Sequence, residues 1–460
     1  MKNTYDLTEG KPSKLILRFF FPMFFTNMLQ QFYNFADTII VGKGLGDDKL
    51  AAVGNMSSLC FLIMGFSMGL TSGFSVIIGQ NYGAKDEKAL KRSVASAVTL
   101  SGMIAVLLTT VSIVFLRPLL MLLNTSETIL DDSLTYGYIL FAGLFATISY
   151  NLCGSILRAL GDSKTPFIAI IASSVVNISA NLFTIYVMHT GVEGPAYATI
   201  LSQFLSALIC FMKLRKIDAI KLSRSDFAFS ENTGMYTLLV RNGVPMAVMN
   251  SITAVGCMVV QSFVNDMGVV YTAAYSACSK YLNVFMQPAS TAGLTMSAYT
   301  GQNYGANRKD RIIAGTKVCL AIAVTSYVIY GSVMFFFPSQ LAALMLNGSS
   351  QIAYAAGFIR RTGIFIFTVD IMFVLRTGCQ GMGRPLLPML SGILEMILRI
   401  SVIVIFSKLI GFNATAYAEV AAWTGALLVN AGAFFHALKL MDSAGQRRIT
   451  MTAAAKSKAV

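Results

Sequence analysis

The chain has 460 residues, of which 55% are aliphatic, aromatic, Met or Cys and only 12% are charged. A soluble protein covers its surface with about a quarter charged residues, so a soluble fold is excluded and much of this surface meets lipid. The formal charge is +14, yet no soluble domain carries a basic face, which argues against nucleic-acid binding.

A hydrocarbon layer about 30 Å thick takes roughly 20 apolar residues per helix, and only helices or closed barrels satisfy every backbone group inside it. The apolar runs here are helix-length and lack the alternation of barrel strands. In chain order, spans are predicted at about 16–41, 50–79, 93–116, 133–157, 165–188 and 193–213, then 238–263, 268–299, 312–337, 353–376, 385–407 and 414–438. The first run is too long for a cleaved signal peptide and has no small-residue cleavage site, so it is retained as a span. The polar stretch Arg215–Tyr236 divides the chain near its middle. The expected organisation is an all-α polytopic membrane protein with twelve transmembrane helices. It has an N-terminal six-helix lobe over 1–213, a linker over 214–237, a C-terminal six-helix lobe over 238–440 and a tail over 441–460.

Seven scattered cysteines form no CxxC pair, and two distant histidines, His189 and His436, make no metal cluster. No cofactor is expected. Basic residues segregate: 26 lie on one side of the predicted spans, and only Lys43, Lys49, Arg117 and Lys408 on the other. That bias places both termini in the cytoplasm of a cell with this protein in its plasma (inner) membrane.

An internal repeat is the strongest pattern. GQNYGA occurs at Gly79–Ala84 and again at Gly301–Ala306, 222 positions later. The same offset pairs Gly46 with Gly268, Gly161 with Gly383 and Pro166 with Pro388. Six spans per half is an even number, so both repeats point the same way, and a binding cleft belongs between or within them near the midplane. The repeated loops read as structural. Their glycines permit turns closed to other residues, and their amides can bond backbone groups at helix ends.

The paired GQNYGA loops, LRALGDSKTP at Leu157–Pro166, NFADTIIVGKGLGDDKLAAVG at Asn34–Gly54 and GVEGPAYAT before the sixth helix resemble the multidrug and toxic compound extrusion (MATE) family over nearly the whole chain. The acidic first span and the lack of an acidic seventh span look more like its DinF-type branch than its NorM-type branch. The resemblance implies a MATE-like fold of two parallel six-helix repeats. It also implies efflux of cationic drugs in exchange for H+ or Na+.

Ionisable residues inside spans are costly and point to function. Asp37 lies inside the first apolar run, and the repeat sets Val259 or Val260 opposite it. A carboxylate there can hold a proton or another cation but not both, which is the physical basis of antiport. The alternative is a solvated residue at the outer helix end. Pro22 interrupts the backbone ladder of the same span. The resemblance implies that it acts as a conformational hinge; a proline tolerated in the first turn is the other reading. Asn177 and Asn181 stand at i and i+4, on one face of the fifth span. The resemblance implies a polar cluster of Asn151, Asn177, Asn181 and Thr199 facing the acidic first helix, with Gln30 on the same face. Many family members have Asp where this chain has Asn181. Amides that simply hold helices together are the structural alternative.

In the second half, Glu395 and Arg399 are spaced for an i,i+4 ion pair, and Asp370 resembles the tenth-span acid of the NorM-type branch. If Asp370 accepts a cation, Lys280 is its natural competitor. Arg360 and Arg361 are expected to snorkel to the outer interface. Abundant Met and Phe suit an adaptable cavity for varied cations.

No GxxxxGK[ST] loop is present, and the spans hold no catalytic constellation, so an ATP-driven pump or an enzyme is not expected. The expectation is a monomeric secondary active exporter of small cationic or amphipathic drugs, embedded in membrane lipid and working by alternating access. A lipid-linked oligosaccharide flippase of the same superfamily is the rival, and would call for a more basic central cavity.

Overall fold

The computed structural model describes residues 6–122 and 125–457, with side chains assigned except at 58, 229–231 and 443–457. Among the described residues there is no strand. The first half contains α1 (Pro12–Leu45), α2 (Asp47–Gly83), α3 (Glu87–Leu122), α4 (Glu127–Ala142), α5 (Leu144–Ala159), α6 (Lys164–Leu182) and α7 (Glu193–Leu214). The second contains α8 (Phe229–Met267), α9 (Val269–Phe285), α10 (Gln287–Gly305), α11 (Lys309–Phe336), the short α12 (Pro338–Ala343), α13 (Ser349–Gly381), α14 (Leu386–Ile410) and α15 (Asn413–Ser457). Eight of the described helices are long and apolar enough to cross a membrane, and the α4–α5 pair, bent by 46°, makes a ninth on the same measure. Taking α4–α5 and α9–α10 as one span each, and α12 as an outer turn, gives six spans per half.

Two boundaries differ from the sequence expectation. The linker is shorter than its polar composition suggests, because α8 already begins at Phe229. Polar residues there form helical turns beyond the apolar run, and Asn232 Nδ2 ties them to the Asp226 carbonyl at 2.6 Å. Likewise α15 continues through most of the expected tail, since a helix leaving a membrane need not stop where its apolar run stops.

The repeat is visible in the backbone as well as the sequence. Gly46 and Gly268 take φ of 89° and 112°, and Gly161 and Gly383 take 84° and 73°. Lys85 and Asn307, which follow the two GQNYGA segments, have matching φ of 58° and 55°. These positions end helices with left-handed residues, a conformation that Gly and Asn adopt most readily.

The halves interlock on the basic side. Gln80 Nε2 donates to the Gly381 carbonyl at 2.9 Å, and its repeat mate Gln302 donates to the Ala159 carbonyl at 2.7 Å. Residues 6–10 tuck beneath this junction. Leu7 is buried, its N–H donates to Gln302 Oε1 at 2.8 Å, and its carbonyl accepts from Arg311 at 3.0 Å. The two GQNYGA segments are thus structural, but they are helix ends rather than loops: Gly79–Gly83 closes α2, Gly301–Gly305 closes α10, and their glycines are helical rather than in turns. From there α2 and α8 run in close contact as far as Gly65, whose carbonyl accepts from Asn250 at 3.1 Å. Beyond it Phe61 and Val255 are exposed, so the halves part into a cleft open to the opposite face.

Helix α1 serves both halves. Before Pro22, Ile16 and Phe20 are buried with Ala289 and Met296 of the second half. After it, Phe25 meets Phe167 of α6 and Asp37 meets Asn181, while Asn27 still bonds Thr291 of α10. Pro22 therefore stands between turns seated on the second half and turns that also reach the first.

Candidate ion-coupling site

The site begins on α1, where Tyr33 and Asp37 are one turn apart and share a face. Asn181 Nδ2 of α6 donates to Asp37 Oδ1 and, at 2.9 Å, to Asn177 Oδ1. Both amides are fully buried, while Asp37 is half-buried. Spacing alone put the two Asn side chains on one face; packing of α1 against α6 supplies the carboxylate between the helices. A π-helical turn over Phe183–Val187 begins two residues after Asn181 and interrupts the regular ladder beside the site. Such turns recur at functional sites.

The Tyr33 side chain lies near Thr199 and Ser202 on α7. Thr199 also donates to the Pro195 carbonyl at 2.9 Å. Tyr136 of α4 lies close enough to interact with Asp37 and Tyr33. Sequence reasoning missed Tyr33, Ser202 and Tyr136. Tyr33 had a signal, its position one turn before Asp37; the other two are joined to the site only by folding. Of the expected residues, Asp37, Asn177, Asn181 and Thr199 come together. Gln30 and Asn151 are half-buried, and among the described residues no hydrogen bond to their side chains is seen. Pro22 lies four turns below Asp37 on α1, with the Thr26 hydroxyl donating to its carbonyl at 2.7 Å.

Asn181 Oδ1 accepts no hydrogen bond from the described residues. Val259, which the 222-residue offset pairs with Asp37, is half-buried, and its neighbour Val260 is a fully buried core residue.

The second half is organised differently. Asp370 is 1% exposed, and its Oδ1 has no partner among the described residues. Lys280 is not beside it. The lysine is exposed, 6.0 Å from the centre of the Phe35 ring on α1. The expected Glu395–Arg399 pair forms at 3.1 Å and belongs to a longer buried chain. Arg376 joins Glu395 at 2.8 Å, and Arg399 joins Glu419 at 3.0 Å. Glu419 went unnoticed in the sequence although it lies inside the predicted span 414–438, where an ionisable residue is itself a signal. Arg360 is exposed beside the Phe335 ring, consistent with an outer-interface cation.

The MatE family model matches residues 22–183 and again residues 245–405, once in each half. The chain belongs to the MATE family. It is 32% identical over 357 residues to the "Probable multidrug resistance protein YoeA" of Bacillus subtilis (strain 168), covering 74% of this chain and 75% of that protein. It is 26% identical over 409 residues to "Probable multidrug resistance protein YpnP" of the same organism, covering 88% and 91%. A solved structure titled "Outward-facing conformation of a multidrug resistance MATE family transporter of the MOP superfamily" matches with a TM-score of 0.88 at 22% identity, over 96% of this chain and 99% of that one. The MATE architecture of twelve transmembrane helices in two repeats is thus that of this multi-pass membrane transporter, and the cleft between its halves is the expected place for a passenger.

Proposed function

We propose that this MATE-family protein is a secondary active exporter of small cationic or amphipathic compounds, driven by counter-movement of H+ or Na+. The observation that carries this reading is the Asp37–Asn181–Asn177 chain, a carboxylate held inside one half with no counterpart in the other. The names of the Bacillus subtilis relatives support the multidrug substrate class. We take the basic side as cytoplasmic and the protein as a monomer in the plasma membrane.

In this reading the cleft opens outward while the GQNYGA segments seal the inner side. Asp37 takes up a proton or sodium ion from outside, its bond to Asn181 is exchanged for one to the ion, and the passenger leaves. The lower part of α1 is seated on the second half, and its upper part bonds Asn181 of the first. Rearrangement at Asp37 is therefore transmitted to the interface across the hinge at Pro22. Closure outside and opening inside then return the ion to the cytoplasm. One charge crossing a 100 mV potential supplies about 2.3 kcal/mol, enough to bias each cycle. Asp370 is a second cation-binding candidate, since its buried oxygen lacks a protein donor.

The test is dye export from energised vesicles with wild-type protein and Asp37→Asn. The variant should lose ion-driven export at unchanged abundance, and wild-type rates in it would refute the site. Exchanging sodium for potassium at fixed pH separates the two ions, because only a sodium-driven carrier stops.

A further inference from the structure

We propose that the cleft between α1 and α9 contains a subsite for an anionic oxygen group, a carboxylate or phosphate on an aromatic passenger, with Lys280 as the residue that selects it. The proposal rests on the transport reading above and adds a substrate class to it.

The argument starts from spacing. On α1, Asn27, Gln31, Asn34 and Thr38 recur at intervals of four, three and four residues, which places them on one helical face. On α9 and into α10, Ser276, Lys280, Asn283 and Gln287 recur at the same intervals. Two contacts bring α1 against α9 and α10. At the base, Asn27 Nδ2 donates to Thr291 Oγ1 at 2.8 Å; higher up, the Lys280 ammonium stands 6.0 Å from the Phe35 ring. Near these contacts Asn34, Thr38, Lys280 and Asn283 are exposed.

Lys280 is the only charged side chain in the two stripes. No carboxylate forms an ion pair with it among the described residues, whereas Arg376 and Arg399 are each bound to buried glutamates. A ring face at an exposed site compensates an ammonium by only about 0.5–1 kcal/mol, and an ionisable group at membrane depth is costly unless it serves a partner. The chemistry that completes this site is an anionic oxygen group taking the ammonium hydrogens. Asn34 and Asn283 are placed to add amide hydrogen bonds, and the exposed Phe32 and Phe35 rings offer apolar faces to a planar passenger. Asp37 projects from a different face of α1, toward Asn181. Cation exchange and anion recognition therefore sit on two faces of one helix.

The probe is a matched pair of dyes: rhodamine B, which carries a carboxylate, and its ethyl ester, which does not. Uptake into everted vesicles is measured for wild type, Lys280→Gln and Lys280→Arg. A charge-assisted hydrogen bond is worth about 1.5–3 kcal/mol, so Lys280→Gln should raise the KM for the acid at least about tenfold. The ester should stay within about twofold of wild type, and Lys280→Arg should recover most of the loss. If Lys280→Gln fails to accumulate, Asn283→Asp places an anion one turn from the ammonium and should weaken transport of the acid alone. Parallel effects on both dyes, or wild type carrying the ester but not the acid, overturn the subsite and leave the exporter reading intact. Wild type carrying neither dye under either ion gradient overturns both.

Discussion

Gly83 is pressed against the carbonyl oxygen of Gln302: a Cβ added to it would lie 1.9 Å from that atom. One added to Gly305, the repeat mate of Gly83, would lie 1.9 Å from the carbonyl of Gln80. Backbone meets backbone in both places, so no flexible side chain can yield. The two GQNYGA segments form a reciprocal clasp across the basic side of the transporter.

Gly83→Ala should therefore prevent full closure of the clasp. Overpacking of this kind costs about 1–3 kcal/mol, and vesicle transport is expected to fall by about tenfold. Gly102→Ala, where a Cβ meets nothing within 4 Å, should leave transport unchanged. Equal rates in the two variants would show that the clasp plays no part in the cycle.

Asn181→Ala removes the donor to Asp37 and leaves Asn177 without its amide partner. A hydrogen bond to a charged group contributes about 1.5–3 kcal/mol, so ion-driven export should drop by about tenfold or more. Protein abundance should stay near wild type, because Asp37 keeps its half-exposed position. Transport rates normalised to membrane-embedded protein give the answer.

Glu395 accepts from Arg376 at 2.8 Å and from Arg399 at 3.1 Å, with all three side chains buried. Glu395→Gln leaves two buried guanidinium groups sharing the single remaining charge of Glu419. Breaking a buried pair costs about 3–5 kcal/mol. The expected result is a marked fall in the melting temperature of detergent-solubilised protein, larger than the fall for Asn181→Ala.

The linker offers a pH test outside the membrane. The Ser223 backbone N–H holds the Asp226 carboxyl below the usual carboxylate range against a small opposing effect of burial, helped by the Ser223 hydroxyl and by Lys91 and Arg92. The group's contribution to linker order is thus present above the ordinary carboxylate range and is lost as pH falls through the depressed value. Limited proteolysis of residues 223–228 should stay slow down to about pH 4 and then accelerate. Asp226→Asn should be cut faster at neutral pH.

The sequence determined a good deal of this. Apolar runs of span length, a one-sided basic bias and the 222-residue repeat define a helical membrane protein of two similar halves, because each depends on residues close in the chain or on a fixed offset. Periodicity also put Asn177 beside Asn181 and Glu395 beside Arg399. Folding alone decided which helices meet. It set Asn181 against Asp37, joined Arg376 and Glu419 to the Glu395–Arg399 pair, and carried Lys280 away from Asp370 to the Phe35 ring across the cleft. Helix period fixes the face a side chain occupies but not the neighbour that face meets; packing of separate helices fixes that, and here it decided the chemistry.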